Sequence, residues 1–492
     1  MGRTLTNNFG LQYAIEASIG VLPGTPIWKI LEPNAISTFG ATITTVERSP
    51  ISAERQRKKG VITDLDSAVE FDADLTIEHF DDFIEGFVFS SFIGPEEMIP
   101  TATTISAYTI PTGTAHPQDT LVFARGWTNP ENNGLKVVDT GSTTTSVPIE
   151  GAGLVVETPP ATQNATLEVT GFRFALNDLE IDADGNLITT VKDFAELGLT
   201  PGQSIWVGGD VALNQFATAD DKGFARVVVI ETNKLTIDKT SQVFTIDDGD
   251  TKEIELYFGR FVRNVTVDDG DFLERSFTFE GAYDNLAEPG PGDAYEYAKG
   301  NFCNTFGWDL PLTDKSTFTA SFVGTDTEPP TETRDPEGGN AIQVVQSSPF
   351  NTSTDIARLR IQEADETGLT TDFKSITLTL NNNVSPEKVL GLIGARYMNS
   401  GNFEIDMETQ LVFTDPDVIA AIRNNDRVTM DFAVRNDDGV ILIDIPSMTL
   451  GAGDREFPVN ESILINITGQ AYGDTTFGTS IGVSKFPYAP NF

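Results

Sequence analysis

Two histidines, His79 and His116, are all the imidazole this chain has for acid–base work near neutral pH or for binding a transition metal. His79 reads as a boundary residue beside a short helix. The string Gly478-Thr-Ser-Ile-Gly482 matches the bare pattern of a hydrolase nucleophile turn, which needs a strand-to-helix turn and then an acid and a histidine downstream. Both histidines lie upstream and no helical periodicity follows Gly482, so Ser480 reads as a turn or strand residue. The acid-rich turns Asp182-Ala-Asp-Gly-Asn186, Asp247-Asp-Gly-Asp250 and Asp268-Asp-Gly-Asp271 raise calcium, but the EF-hand spacing fails. Gly185 falls two places early, and Asp193 stands where a bidentate Glu is required. Such Asp-Gly pairs are ordinary turn formers. No phosphate-binding loop or dinucleotide fingerprint is present. With 73 acids, two carboxylates facing each other across a sugar carry no information, and a carbohydrate-active enzyme stands only as an alternative. We therefore expect no catalytic residue, no cofactor and no metal site.

Those residues sit in a chain of 492, too long for one compact core, so three or four domains are expected. The balance of 73 Asp+Glu against 32 Lys+Arg gives a formal charge of −41, the wrong sign for holding nucleic acid through its phosphates. The same sign suits a surface past which DNA must slide without sticking. One cysteine, Cys303, excludes an intramolecular disulfide framework and fits assembly in a reducing cytoplasm. The opening Met1 to Asn8 is polar, no run of 18 apolar residues occurs, and no membrane partner is expected. Gly2 and Thr6 match only the bare myristoylation pattern, in an otherwise unlike context.

Period-two alternation predicts a mainly β protein. Phe306, Trp308, Leu310 and Leu312 alternate up to a turn at Thr313-Asp314-Lys315, and Phe318, Ala320 and Phe322 resume the pattern as a hairpin. Ile376, Leu378 and Leu380 give another strand; Val428 to Val434 and Val440 to Ile445 flank a turn at Asn436 to Gly439; Ile463, Ile465 and Ile467 give the last. Two stretches read as short helices. Phe80, Phe83, Ile84 and Phe87 share one face of the first; in the second Asp415 is the expected N-cap and Pro416 the first helical residue, with Val418, Ile419 and Ile422 on a common face.

Their surroundings match, which predicts an internal duplication. Phe71, Asp72 and Asp74 before the first helix align with Phe403, Glu404 and Asp406 before the second, and Ser52-Ala-Glu54 aligns with Ser385-Pro-Glu387. A second repeat relates Asp119 to Gly126, Gly134 and Val138 to Gln203 to Gly209, Gly223 and Val227. The expected division is 1–104, two inserted small barrel-like β domains at 105–163 and 164–258, further strands of the frame at 259–324, a linker or extended arm at 325–354, and a second frame domain at 355–492.

The run from Tyr13 to Trp28 resembles the opening of the major tail tube proteins of long, non-contractile (siphophage) bacteriophage tails. The series continues with Glu54-Arg-Gln-Arg57, the strand and helix from Val69 to Phe87, Leu273 to Glu280, Tyr297 to Gly300, the Phe306 to Val323 hairpin, Thr377 to Asn383, Gly401 to Glu404 and Gly439 to Pro446. The resemblance covers about 1–95 and 260–492; the insertion departs from it and belongs on an outer surface by analogy. It implies duplicated β-sandwich domains, each with a short flanking helix, and an N-terminal arm reaching the next ring, with Tyr13, Ile15, Ile19 and Trp28 as the inter-ring contacts. It implies a structural, non-enzymatic virion subunit, assembled in the host cytoplasm, that stacks in rings into a hollow conduit with an acidic lumen for DNA ejection without specific binding. Partners would be its own copies, the tape measure protein, and the tail terminator and tail tip proteins. If the duplication holds, three chains make a ring of pseudo-sixfold symmetry; hexameric rings are the alternative. A virion-surface adhesin or decoration protein is the other functional alternative.

Overall fold

The computed structural model describes residues 5–51, 53, 55–78, 81–95, 97–159, 165–284, 293–334, 341–342, 347–363, 368–370 and 372–490. The frame consists of two halves with one topology. The first contains β1 (Phe9–Ile15), β2 (Trp28–Leu31), β3 (Ala35–Arg48), β4 (Lys58–Asp74), helix α1 (Asp81–Val88), β5 (Phe277–Tyr283), β6 (Ala294–Leu310) and β7 (Thr317–Gly324). The second contains β8 (Ile356–Glu363), β9 (Gly368–Thr370), β10 (Phe373–Asn381), β11 (Glu404–Val412), helix α2 (Asp417–Asn424), β12 (Val428–Asn436), β13 (Gly439–Glu456) and β14 (Leu464–Ala471). Every ladder of the first half has its counterpart: β1 pairs β2 and β5, β3 pairs β4, β4 pairs β7, and β6 pairs β5 and β7. Correspondingly β8 pairs β9 and β12, β10 pairs β11, β11 pairs β14, and β13 pairs β12 and β14.

The long strands β6 and β13 explain how each half becomes a two-layer sandwich. Residues Ala294 to Asn301 of β6 pair with β5, and Phe302 to Asp309 pair with β7. A strand that serves two sheets must bend between them, and Gly300, at φ +63°, supplies a backbone state that L residues rarely adopt. A Cβ there would lie 2.2 Å from Thr325 Oγ1.

Alternation puts one set of side chains from both halves into a single core that includes Phe71, Phe83, Phe306, Trp308, Phe322, Leu378, Met407, Met430 and Ile443. Both helices cover it. Phe83, Ile84 and Phe87 are buried, Val418 is buried, and Ile419 and Ile422 pack against the same cluster. Phe80 and His79 lie outside the described residues. Pro416, just before Asp417–Asn424, already has helical dihedrals at φ −70° and ψ −19°, and Asp415 Oδ1 accepts from the Asp417 amide at 2.9 Å, the bond expected of a capping side chain.

The duplication is registered differently from the sequence alignment. Phe71 pairs with Ala320, which pairs with Phe306; the matching path is Met407 to Gly469 to Leu450. Asp81 and Asp417 both follow ten residues on. Phe71 therefore corresponds to Met407, not Phe403. A four-residue slip preserves the inward face of a strand, so alternation alone could not detect it.

The insertion builds its own core, with Leu167, Phe174, Phe194, Ile205, Val227 and Leu256 among its members. Strands Thr120–Arg125 and Thr166–Arg173 pair directly, and Glu255–Tyr257 joins the latter to Ser204–Val207 and Gly223–Glu231. Its sheet also takes in Glu97–Met98. In the 325–354 stretch Asp326–Thr331 pairs with β6 and Phe350 is fully buried.

Candidate functional site

Eight strands run side by side in the order β3, β4, β7, β6, β10, β11, β14, β13, and the middle junction, β6 against β10, joins the two halves. One face is the core. On the other, the ladders place residues in rows. The first row reads Thr38, Glu70, Ser321, Thr305, Asn381, Glu404. The second reads Asp72, Thr319, Gly307, Thr379, Asp406, Gln470, Thr449, and the third Asp74, Thr317, Asp309, Thr377, Glu408, Thr468, Gly451. The rows hold seven carboxylates and no Lys or Arg.

Threonine is at home on a pleated surface, and here its hydroxyls also orient the acids. Thr319 Oγ1 donates to Asp72 at 2.6 Å and Thr377 Oγ1 to Asp309 at 2.9 Å. At one end of the sheet Lys315 Nζ meets Asp74 at 2.6 Å. The remainder is a smooth, negatively charged, hydroxyl-rich surface. Further along the same side of β4, Lys388 Nζ is held by Asp64 at 2.5 Å and Asp66 at 2.6 Å, so the cations described on this face are already paired with acids and the rows themselves can repel a polyanion.

The order of layers is fixed by which residues alternate. In β12 and β13, Met430, Phe432, Ile441 and Ile443 enter the frame core, whereas Ala433, Val440 and Leu442 point the other way and pack with Leu121, Trp206, Phe224 and Tyr257 of the insertion. The insertion therefore sits on the sheet layer opposite the acidic face. Arg226, fully buried, fastens it: Nε donates to Asp444 at 2.5 Å, Nη1 to Asp238 at 2.7 Å and Nη2 to Thr429 at 2.9 Å. Burial works against the Arg226 charge, but the adjacent Asp444 outweighs it and holds the guanidinium more firmly protonated than usual. Arg358 and Arg360 clamp Asp431 at 2.6 and 2.8 Å, and Arg358 also donates to the insertion's Phe224 carbonyl at 2.7 Å.

The other candidates for chemistry are accounted for by structure. Ser480 precedes the strand Gly482–Phe486, and its amide and hydroxyl bond Asn264 Oδ1 at 2.8 and 3.3 Å. His116 Nε2 lies 3.3 Å from Met98 Sδ, and burial lowers the ring's pKa. Asp182 takes the Asp184 and Asn186 amides, each at 2.9 Å, and Lys234 Nζ at 2.9 Å, so a lysine occupies the position a calcium reading would give to a cation. Cys303 is buried against α1, which pushes its thiol up. A cleft of about 980 Å³ between α1 and the insertion is lined by Asp81, Glu97, Glu168, Arg125, Arg260 and Lys485 among others. Asp81 pairs there with Lys485 at 2.6 Å and Arg260 at 3.2 Å. Partial burial lifts Glu78, on the same wall, to about 7.

Of the four residues assigned to inter-ring contact, Tyr13 and Trp28 are buried in their own chain, at 4% and 0% exposure. Tyr13 donates to Asp82 at 2.8 Å and Ile15 packs against the frame core; Ile19 is exposed. The acidic rows were not singled out from sequence; the signal was an acid or hydroxyl at every second residue of Glu70 to Asp74, Thr317 to Ser321 and Glu404 to Glu408.

Comparison with known families decides the identity of such a frame: the family described as phage tail tube protein matches residues 6–471. The chain belongs to the phage tail tube protein family. It is thus a bacteriophage structural protein, a virion component of the tail, in a family whose members assemble into a tube. A search of curated proteins finds no match. Among the described residues no helix is long and apolar enough to cross a membrane.

Proposed function

We propose that this tail tube protein closes into three-chain rings of pseudo-sixfold symmetry by repeating, between copies, the junction it already makes between its halves. The observation that carries this is the β6–β10 ladder, six residue pairs from Thr305↔Asn381 to Leu310↔Ile376. The counterpart of β6 is the C-terminal part of β13, and the counterpart of β10 is β3. Among the described residues both have one edge without a ladder partner. An open edge invites another strand, and a heterologous contact that closes on itself makes a ring. The repeat sets the register: Phe306 opposite Leu380 within the chain becomes Leu450 of one copy opposite Phe39 of the next. Three eight-stranded segments spaced about 4.8 Å apart and tilted as barrel strands are give a backbone ring roughly 45–50 Å across.

In that ring the acidic rows line the bore and the insertion faces outward. Screening confines the wall's repulsion to about 8 Å at physiological salt, enough to keep a passing duplex from adhering. The conduit carries DNA during ejection from a long, non-contractile tail, without catalysis, cofactor or membrane. Its partners are its own copies, the tape measure protein, and the terminator and tip proteins, with assembly in the host cytoplasm. Exposed Ile19 is the inter-ring contact left at the N-terminal segment. We read the insertion as two small β units, 105–163 and 164–258, on a duplicated frame. The ion-paired cleft belongs to the joint between frame and insertion. Negative-stain images of purified protein test the reading: hollow rings or tubes are expected, and a compact monomer persisting at high concentration would contradict it.

A further inference from the structure

Both open edges, β3 and the C-terminal part of β13, carry one residue more than their counterparts inside the chain. Along β3, Ile36 and Thr38 pair with Phe71 and Glu70, consecutive residues of β4, which leaves Ser37 over as a β-bulge. In β10 the matching Leu378 and Thr379 pair with Met407 and Asp406, and nothing is left over. Along β13, Ala452 and Asp454 pair with Ile467 and Asn466, consecutive residues of β14, which leaves Gly453 over. In β6 the matching Trp308 and Asp309 pair with Phe318 and Thr317, again without an extra residue. Ala452 at φ +59° and Gly453 at φ +99° both lie in the left-handed region, where an alanine is strained. Ala35, Ser37, Thr38, Ala452 and Asp454 are all exposed in the single chain.

An extra residue in one strand alone shifts every later pair of a ladder by one, and such a slip turns side chains to the wrong face. In the junction that would repeat β6–β10 between copies, Gly451 takes the place of Gly307 and Thr38 that of Thr379, so those two stand opposite each other. Beyond the bulges Asp454 takes the place of Asp309 and Ala35 that of Thr377, and these are opposite as well. Asp454 stands three residues after Gly451, and Ala35 stands three before Thr38. The two extra residues therefore cancel. A ladder between copies keeps one antiparallel register from Thr449 opposite Gly40 to Arg455 opposite Asn34. A regular strand laid against either edge would instead meet an unmatched bulge and lose register there.

We propose that Ser37 of β3 and Gly453 of β13 are a matched pair of bulges that reserves each open edge for the opposite edge of a second copy and fixes the register in which the two join. This rests on the ring reading above. The test compares wild type with deletion of Ser37, deletion of Gly453 and the double deletion, by negative-stain microscopy and sedimentation, with circular dichroism to follow folding. Each deletion gives its strand the residue count with which the sister half already folds. Either single deletion should lower the yield of rings by at least about ten-fold, and the double deletion should return it to within about two-fold of wild type. Cross-linking reads the register without any deletion. On oxidation, neighbouring copies should be linked through Thr38→Cys/Gly451→Cys before the bulges and through Ala35→Cys/Asp454→Cys beyond them, but not through Ala35→Cys/Arg455→Cys. Where a deletion fails to fold, the cross-links decide alone. Single deletions with wild-type ring yield, a folded double deletion no better than the singles, or links through Thr38 and Gly451 only would overturn the matched bulges while leaving the ring standing. Wild type without rings would overturn the ring reading and the pairing with it.

Discussion

Arg226 is a charge with almost no access to water, so its neighbours decide whether the insertion stays mounted. Removing one partner of such a pair leaves the other buried and uncompensated; Asp444→Ala should cost about 3–5 kcal/mol. Denaturant unfolding checks this, and a loss below about 1 kcal/mol would mean the joint is held by its apolar contacts alone. Asp182 gives a pH-dependent counterpart. Burial alone would push its carboxyl up, but the Asn186 and Asp184 amides and Lys234 hold it at about 2. Its folded pKa is depressed, so its contribution is fully present above an unfolded value of about 3.9 and fades as pH falls through about 2. Asp182→Ala should lose about 1–2 kcal/mol at pH 6, with a difference from wild type that shrinks between pH 4 and 2. Melting temperatures across that range measure it; a constant difference would sink the assignment.

At the scale of elements, α1 touches the frame so closely that helix propensity loses to packing. A Cβ on Gly86 would lie 2.8 Å from Cys303 Sγ and 3.1 Å from the Phe277 ring. Gly86→Ala should therefore destabilise by about 1–2 kcal/mol, although in an exposed helix the same change gains about 1 kcal/mol. A stabilised variant would show that β6 yields. The strands were largely legible in sequence: Phe306 to Leu310, Phe318 to Phe322 and Ile376 to Leu380 alternate because one face is core. What alternation leaves open is which strands become neighbours. The acids of β4, β6 and β11 and the hydroxyls of β7 and β10 look like scattered solvated residues until the ladders align them. Tyr13 and Trp28 misled for a related reason, since a large aromatic serves a core or an interface equally well, and only the pairing of β1 with β5 puts Tyr13 inside.

For the whole molecule, the proposed function divides the work between two features: a repeated junction by which copies would join, and an acidic face that would line the bore. The second predicts that Asp406→Lys/Glu408→Lys phage assemble normally but eject DNA more slowly, because each lysine offers phosphate an attractive site in rows that hold no Lys or Arg. Ejection kinetics read this, and an unchanged rate would make the lining's charge incidental. The first is the central claim, and a reconstruction of the assembled tube viewed along its axis tests it most directly. Three chains per ring are expected, with β3 of each copy hydrogen-bonded to Thr449 to Glu456 of its neighbour and Leu450 opposite Phe39. Six equivalent chains per ring, or a β3 edge facing solvent in the closed ring, would contradict it.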